Sequence, residues 1–287
     1  MQKLGFIGAG PVGTAFSVNL SQRGYQVTGV FDVNADAAER LAGDVDQCRV
    51  FESAKALVDQ TDMVFVTTPD DLIAPVTQEL TWRSGQAVVH CSGATTVQAL
   101  ESAREQAALV GAIHPCQTFA GRDQAIANLP AATFAIEAEE PLKAVLTEIA
   151  RALDGDVVYL TSEDKALYHA AACIASCYAY TLADIATDLW RNFGKSKEEA
   201  TRAYIPLLQG TVNNIDTVGF PGCPTGPIMR GDVRTIENHF VALKKYAPDI
   251  LPLYKQLGLR TIPVGLAKGT LSQEKADALR RRLESDA

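Results

Sequence analysis

A glycine-rich segment near the start of the chain has the spacing of a phosphate-binding turn. Gly8, Gly10 and Gly13 form the pattern G-x-G-x-x-G, and Pro11 and Val12 lie between the last two glycines. In such a turn the first glycine permits a tight bend, the second lets the backbone approach a pyrophosphate, and the third allows a helix to pack closely on a strand. Backbone N–H groups and the helix dipole then face the anion. We predict that these five residues bind a dinucleotide.

An acidic residue lies at the distance along the chain that is typical of ribose recognition. Asp32 follows the glycine turn by about 20 residues, at the end of the next predicted strand. A carboxylate there binds ribose hydroxyls and repels a 2′-phosphate, and no Arg or Lys stands at positions 33–35. The cofactor is therefore NAD or NADP, with NAD favoured by Asp32. The alternative is that Asp32 only caps the helix that starts at Ala35.

Further candidates stand after the fourth and fifth predicted strands. Thr68 and Pro69 follow one of these strands, and Ser92 and Gly93 follow the other. Ligands of doubly wound sheets bind at the carboxyl ends of the strands, so we predict that these four residues line the nicotinamide half of the cofactor. The alternative for Thr68 and Ser92 is ordinary helix capping.

Lys165 and His169 are four residues apart in a helical stretch and share one face of it. A hydride that reaches a ketone builds negative charge on the oxygen, which an ammonium or imidazolium stabilises and can protonate. Such a pair could be catalytic, but spacing alone favours the alternative of a solvated Lys and a core His.

Three more residues are candidates for binding a substrate. His114 follows the sixth predicted strand, and Thr225 and Arg230 belong to a Gly/Pro-rich loop at 218–231. Arg230 could bind a substrate carboxylate through its guanidinium, or it could pair only with Asp232 or with a neighbouring subunit.

The elements that must position these residues alternate between strand and helix up to about residue 160. The run Met63–Thr67 is almost continuous Val and Phe, which is typical of a central parallel strand buried on both faces. Alternation of this kind predicts an α/β fold with a doubly wound, mostly parallel sheet. The predicted strands are Leu4–Gly8, Gln26–Phe31, Arg49–Phe51, Met63–Thr67, Ala87–Cys91, Leu109–Ile113, Thr133–Glu137 and Val157–Leu160.

The pattern becomes helical after residue 160. A long helix is predicted from Thr161 to Phe193, and its apolar part, Ala170–Ala183, is predicted to be a buried core helix. A second helix runs from Ser196 to Asp216. We therefore predict two domains, a Rossmann domain at 1–160 and an all-helical domain at 161–287. The later predicted elements are helices at Asp232–Tyr246, Pro248–Leu257 and Ser272–Glu284, and a weak extended run at Thr261–Val264.

Composition restricts the possible functions. The net charge of −8 disfavours a nucleic-acid partner. The chain opens without the apolar run of a secretory signal and has no membrane-length apolar stretch, so we expect a cytoplasmic protein without a membrane partner. The six cysteines show no metal-site spacing, and no metal is predicted. The G-x-S-x-G elbow of a hydrolase is absent.

Four segments resemble a known family. They are His90–Gly93, Gly111–Phe119, Asp164–Ala172 and Pro224–Asp232. The chain resembles oxidoreductases that combine a Rossmann-like domain with a C-terminal domain of unknown function, number 2520. These belong to the 6-phosphogluconate dehydrogenase and ketopantoate reductase-like superfamily, which includes 3-hydroxyisobutyrate-type dehydrogenases and pyrroline-5-carboxylate reductases. Two features depart from the pattern: Ser176-Cys177 stands where relatives often have Ser-Asn, and Asp32 stands where many have a Ser/Arg pair.

The resemblance implies an NAD(P)-dependent oxidoreductase that transfers hydride between nicotinamide and a small keto or 2-hydroxy acid similar to ketopantoate. It also implies that Lys165 binds the reacting oxygen, so we predict that Lys165 and His169 are catalytic. A 6-phosphogluconate dehydrogenase-like helical domain is further expected to contribute to a homodimer. Two alternatives stay open. One is an imine reductase of the pyrroline-carboxylate type, and the other is a non-catalytic, dinucleotide-sensing binding protein.

Overall fold

The computed structural model of the chain describes residues 2–285. Within these residues it has eight strands: β1 (Lys3–Ile7), β2 (Gln26–Phe31), β3 (Arg49–Val50), β4 (Met63–Val66), β5 (Ala87–His90), β6 (Leu109–Pro115), β7 (Thr133–Ala138) and β8 (Asp156–Tyr159). The helices of the first part are α1 (Pro11–Gln22), α2 (Ala35–Asp44), α3 (Ala54–Val58), α4 (Asp70–Gln78), α5 (Glu101–Arg104), α6 (Arg122–Asn128), α7 (Leu142–Ala152) and α8 (Lys165–Ala175). The remaining helices are α9 (Cys177–Leu189), α10 (Lys197–Val218), α11 (Pro227–Arg230), α12 (Val233–Tyr246), α13 (Leu251–Lys268) and α14 (Gln273–Glu284). Short 3₁₀ turns lie at Val97–Leu100 and Trp190–Phe193.

The strands form one sheet in the order β3-β2-β1-β4-β5-β6-β7-β8. All neighbouring pairs are parallel except β6 and β7, which are antiparallel. The order reverses between β1 and β4, so a crevice for ligands opens there at the carboxyl ends of the strands. The predicted mostly parallel, doubly wound α/β sheet is therefore confirmed.

The core explains why these runs become strands. Every residue of β4 is buried, as expected of a strand covered on both faces. One cluster covers one face of the sheet and is built around Phe6, Phe16, Phe65 and Phe134 from three strands and α1. The cluster on the other face includes Val64, Val66 and residues of α3 and α4. All eight predicted strands are present with ends shifted by at most a few residues.

By internal contacts, the chain divides into a unit that ends at Cys177 and a unit that begins at Tyr178. The domain boundary predicted at residue 160 stays a prediction. The second unit has its own core, in which Ile236, Phe240, Ile262 and Leu279 are buried.

The extended run predicted at Thr261–Val264 is wrong, because these residues lie inside helix α13. The helix predicted at Pro248–Leu257 is correspondingly longer and shifted. Ile262 is fully buried in the helical core, so packing overrides the strand preference of the β-branched residues.

Helix α6 was not predicted, because its seven residues show little periodicity. A buried Ala125 and a hydrogen bond from Asn19 Nδ2 to the carbonyl oxygen of Ile126 (2.9 Å) hold it against α1.

The single long helix predicted from Thr161 to Phe193 is interrupted. Asp164 accepts hydrogen bonds from the backbone N–H and the hydroxyl of Thr161, so α8 begins only at Lys165. Ser176 separates α8 from α9. The predicted buried core helix at Ala170–Ala183 is also wrong, because its apolar side chains are exposed, with 64% of Ile174 accessible.

By length and composition alone, the stretch Lys165–Phe193 could cross a membrane, which is weak evidence for a single stretch. Two observations argue against a span. The stretch consists of α8, α9 and a 3₁₀ turn rather than one helix. It also begins with Lys165, whose ammonium is buried against the sheet of the first unit.

Candidate functional site

The glycine turn connects β1 to α1, and its three glycines face different surroundings. Gly8 has φ +108°, and a Cβ there would lie 2.7 Å from the carbonyl oxygen of Thr67. A Cβ on Gly13 would lie 2.3 Å from the carbonyl oxygen of Gly8. A Cβ on Gly10 would meet nothing within 4 Å. Backbone packing therefore requires the first and third glycines, whereas the second leaves open space in front of α1.

That open space adjoins an uncapped helix start. Gly10 is the N-cap residue of α1, Pro11 follows it, and within residues 2–285 no side chain caps the helix. Asp32 stabilises the turn from the next strand: its Oδ2 accepts the N–H of Ala9 (2.6 Å) and its Oδ1 accepts the N–H of Asn34 (2.8 Å). Asn34, not Asp32, caps α2. The capping alternative for Asp32 is therefore wrong.

A cavity of about 550 Å³ opens at the carboxyl ends of β1, β2 and β4. Gly8, Gly10, Asp32, Thr68 and Pro69 are among its lining residues. In the part of the chain that the structure describes, the buried hydroxyl of Thr68 has no hydrogen-bond partner. Buried polar atoms nearly always have partners, so this hydroxyl indicates a missing ligand group. The orphaned hydroxyl, the uncapped helix and the space at Gly10 fit a dinucleotide.

Ser92 and Gly93 follow β5, and Ser92 connects several polar groups. Its hydroxyl donates to Oδ2 of Asp70 (2.7 Å) and accepts the N–H of Thr95 (2.9 Å). Its carbonyl oxygen accepts a hydrogen bond from Nζ of Lys165 (2.9 Å). Ser92 therefore fixes the backbone after β5 as a capping residue would, and it also contacts the predicted catalytic lysine.

Lys165 is only 2% exposed, so the alternative of a solvated lysine is wrong. Its Nζ lies 3.6 Å from Oε2 of Glu137, a carboxylate on β7 that is also buried. Burial lowers the pKa of Lys165, and the Glu137 carboxylate acts in the opposite direction. Glu137 further accepts the N–H of Val97 (3.1 Å) and the hydroxyl of Ser162. The ammonium is thus held as half of a buried ion pair.

Sequence reasoning did not identify Glu137 as part of the site. The one available signal was an acidic residue at the end of an otherwise apolar predicted strand, Thr133–Glu137.

Sequence reasoning also did not assign a role to His90, which is fully buried. Nδ1 of His90 accepts the N–H of Ser92 (3.2 Å), so Nε2 carries the proton and donates to the carbonyl oxygen of Thr96 (3.2 Å). Burial, followed by the charge of Lys165, lowers the pKa of His90 to about 3.

His114 and His169 meet at Gly93. A Cβ on Gly93 would lie 2.7 Å from both Nε2 of His114 and Cδ2 of His169. Nδ1 of His114 is 2.8 Å from the hydroxyl of Tyr168. Burial lowers the pKa of His114 to about 4, with smaller contributions from His169 and Lys165. Both imidazoles line a cavity of about 250 Å³.

The first unit thus brings together Ser92, Gly93, His114, Lys165 and His169. Their predicted roles stay predictions, as does binding of the cofactor by the glycine turn.

Two predicted substrate residues, Thr225 and Arg230, belong to the second unit. Thr225 is exposed, and Arg230 is exposed at the end of α11. Asp232 accepts from the N–H and hydroxyl of Thr235, and the described residues show no ion pair between Asp232 and Arg230. The substrate roles of Thr225 and Arg230 also stay predictions.

Two protein families match different parts of the chain. A family described as a Rossmann-like domain matches residues 1–115. A family described as a domain of unknown function, DUF2520, matches residues 132–261. The chain thus matches a Rossmann-like domain followed by a DUF2520 domain. The predicted resemblance is therefore confirmed. No curated protein matches this chain.

Solved structures resemble the Rossmann–DUF2520 chain over most of its length. A Bacteroides fragilis protein assigned as an NADP oxidoreductase is 22% identical, with a TM-score of 0.74 over 91% of this chain and 98% of its own. A reductive aminase from Aspergillus terreus bound to NADPH is 17% identical, with a TM-score of 0.62 over 99% and 93%. A 1-pyrroline-5-carboxylate reductase from Streptococcus pyogenes is 14% identical, with a TM-score of 0.61 over 98% of each chain. At these identities the likeness establishes the fold.

Proposed function

We propose that the Rossmann–DUF2520 protein is an NAD(P)-dependent oxidoreductase acting on a small keto or 2-hydroxy acid. One observation carries the proposal. The cavity in front of the glycine turn contains a buried hydroxyl, that of Thr68, without a partner in the described chain, beside open space at Gly10. Anionic ligands bind at uncapped helix starts of this kind. The oxidoreductase neighbours support the same proposal.

The residues divide into a binding group and a reacting group. The turn from Gly8 to Gly13 would hold the pyrophosphate, Asp32 the ribose, and Thr68, Pro69, Ser92 and Gly93 the nicotinamide half. When bound, the reduced nicotinamide supplies a hydride. Lys165 contributes a positive charge near Ser92, and His169 places a second polar ring at Gly93.

The choice of coenzyme has an argument on each side. Asp32 would repel a 2′-phosphate and favours NAD. The Bacteroides protein is named for NADP, and the reductive aminase is bound to NADPH, so the comparisons do not support a preference for NAD. We therefore propose NAD(P) as the cofactor, and titration with both reduced coenzymes decides between them.

An imine reductase is the second candidate, supported by the reductive aminase and pyrroline-5-carboxylate reductase neighbours.

The third candidate is a dinucleotide sensor without turnover, which would not need polar groups beside Gly93. His114, His169 and Lys165 lie there, which favours an enzyme.

The test is consumption of NADH or NADPH, followed by absorbance, with a panel of 2-oxo acids including ketopantoate and with 1-pyrroline-5-carboxylate. We expect turnover of at least one 2-oxo acid. Coenzyme binding without turnover of any panel member would favour the sensor, and no binding of either coenzyme would refute the proposal.

We also propose a homodimer formed through the long helices. Helix α10 has 22 residues, of which only Ala200 is buried. Ile205, Leu208, Val212 and Ile215 are exposed at helical spacing and form one apolar stripe. Such a stripe is rarely left in water, and a second copy of the same helix offers a matching apolar surface.

A further inference from the structure

Two imidazoles contact Gly93, but they present different atoms to it. Nε2 of His114 lies 2.7 Å from a Cβ built on Gly93, and so does Cδ2 of His169. His169 therefore presents a carbon, and its Nδ1 lies 3.9 Å from Sγ of Cys173. The imidazole nitrogen nearest to a reacting atom beside Gly93 is therefore Nε2 of His114.

Tyr168 determines which nitrogen of His114 carries the proton. Burial, and then the neighbouring Cys116 thiol, raises the pKa of Tyr168, so the phenol stays protonated at neutral pH. The phenol proton has two acceptors within reach, Nδ1 of His114 at 2.8 Å and the Cys116 sulfur. An imidazole nitrogen is the stronger acceptor, because a thiol sulfur accepts only weakly. Tyr168 therefore donates to Nδ1.

The ring of His114 then has its single proton on Nε2. Burial lowers the pKa of His114 to about 4, so the imidazole is neutral at pH 7. The described residues give Nε2 no hydrogen-bond partner of its own. Nε2–H is thus a free donor at the wall of the cavity of about 250 Å³, whose other lining residues include Cys116, Thr118 and Cys173.

We propose that His114 donates its Nε2–H to the oxygen of a carbonyl substrate, with Tyr168 as the positioning residue. The inference rests on the proposed function and specifies its substrate class. A carbonyl oxygen is an acceptor and matches this donor. An imine that binds already protonated, as the iminium, carries N–H and would oppose Nε2–H. The site therefore fits a ketone or aldehyde and disfavours an imine that binds in its protonated form.

The protons balance in the direction of reduction. The carbonyl carbon gains a C–H bond with two electrons from the reduced coenzyme of the proposed function, and the oxygen gains the proton from Nε2. Nδ1 takes the phenol proton of Tyr168 as Nε2 loses its own, and water gives a proton to the phenol oxygen in the same relay, so that no free phenolate forms. The imidazole is neutral before and after the step, as its low pKa requires.

The first test is ¹⁵N NMR of the histidine side chains in the coenzyme-free protein at pH 7. The chain has four histidines, and His114→Gln assigns the signal. We expect a pyridine-type Nδ1 and a pyrrole-type Nε2 in the wild type, and a mixture of tautomers in Tyr168→Phe. The reverse assignment in the wild type would overturn the inference whatever the activity.

The second test compares variants with NADPH and NADH on ketopantoate, 2-oxobutanoate and 1-pyrroline-5-carboxylate. We expect kcat on the 2-oxo acid to fall by about 100-fold or more in His114→Gln. We expect a fall of about tenfold in Tyr168→Phe, with the coenzyme Kd unchanged in both variants. His239→Gln is the matched control, because His239 also pairs with a tyrosine hydroxyl, that of Tyr254, but lies in the second unit, and it should keep the wild-type kcat.

Faster wild-type turnover of the pyrroline than of every 2-oxo acid would overturn the assignment to carbonyls. So would coenzyme binding without turnover of any 2-oxo acid. Failure of the wild type to bind either coenzyme would instead refute the proposed function, while the NMR result would still decide the tautomer.

Discussion

The buried ion pair between Lys165 and Glu137 gives the sharpest energetic prediction. Both side chains are almost inaccessible, and Nζ lies 3.6 Å from Oε2. Replacing Lys165 by Met leaves a buried carboxylate without its cation, which typically costs about 3–5 kcal/mol of unfolding free energy. Glu137 keeps hydrogen bonds from Val97 and Ser162, so we expect the lower end, about 3 kcal/mol.

The double variant Lys165→Met/Glu137→Gln removes both charges and should be more stable than Lys165→Met. We expect a coupling energy of about 2 kcal/mol between the two positions. The assay is urea unfolding followed by circular dichroism at pH 7.5 without coenzyme. Lys55 and Asp59 form a matched exposed pair at 2.7 Å, for which Lys55→Met/Asp59→Asn should give less than about 0.5 kcal/mol.

A coupling energy below about 0.5 kcal/mol for Lys165 and Glu137 would refute the buried pair, because it would equal that of the exposed control. The same lysine variant separates stability from chemistry. If Lys165 is catalytic, Lys165→Met that remains folded should lose turnover and keep its affinity for coenzyme. Full turnover in that variant would refute the catalytic assignment.

Three further predictions follow from packing, charge and exposure. The pKa of His90 is about 3 in the folded protein, against an ordinary value of 6.5 for a solvated histidine. Between these two pH values the unfolded chain binds more protons than the folded protein. The free energy of unfolding therefore falls as the pH drops below 6.5. His90 should account for a loss of about 2 kcal/mol by pH 5, and urea unfolding of His90→Gln should show a shallower pH dependence than the wild type; an equal slope would contradict the assignment. Gly13→Ala places a methyl 2.3 Å from the Gly8 carbonyl oxygen, so calorimetric titration should show loss of coenzyme binding, and unchanged affinity would contradict the geometry. Val212→Asp in the apolar stripe of α10 should convert a dimer to a monomer in sedimentation experiments. Val241→Asp is the control, because Val241 is similarly exposed but lies on α12, and this variant should stay dimeric. A monomeric wild type would refute the proposed dimer.

The sequence predicted the features that depend on local patterns. The glycine spacing locates the turn, and alternation of short apolar runs with helices locates all eight strands. Asn34 and Ser272 cap their helices through contacts three residues away, which explains why these helix starts were close to prediction.

Features that depend on distant contacts were not predicted. Glu137 and Lys165 are 28 residues apart, and only the fold brings the end of β7 and the start of α8 close enough for an ion pair. Tyr168 lies 54 residues from His114, so nothing local indicates their hydrogen bond. The burial of Ile262 likewise makes a helix from a run with strand preference. The exposure of α8 and α10 was not predicted either. Apolar periodicity indicates that one face of a helix is apolar, but it cannot indicate whether a core or another copy of the chain covers that face.

In the proposed function, the backbone at Gly10 accommodates the pyrophosphate of NAD(P). Gly10 has φ −70° and ψ −178°, which alanine adopts freely, and a Cβ there meets no protein atom within 4 Å. Gly10→Ala should therefore fold as the wild type does, yet lose coenzyme affinity by at least about tenfold, or about 1.4 kcal/mol, in a calorimetric titration with NADH and NADPH. Gly43→Ala, also in open space but on α2, is the control and should bind as the wild type does. Unchanged affinity in Gly10→Ala, or no binding by the wild type, would contradict this role of Gly10.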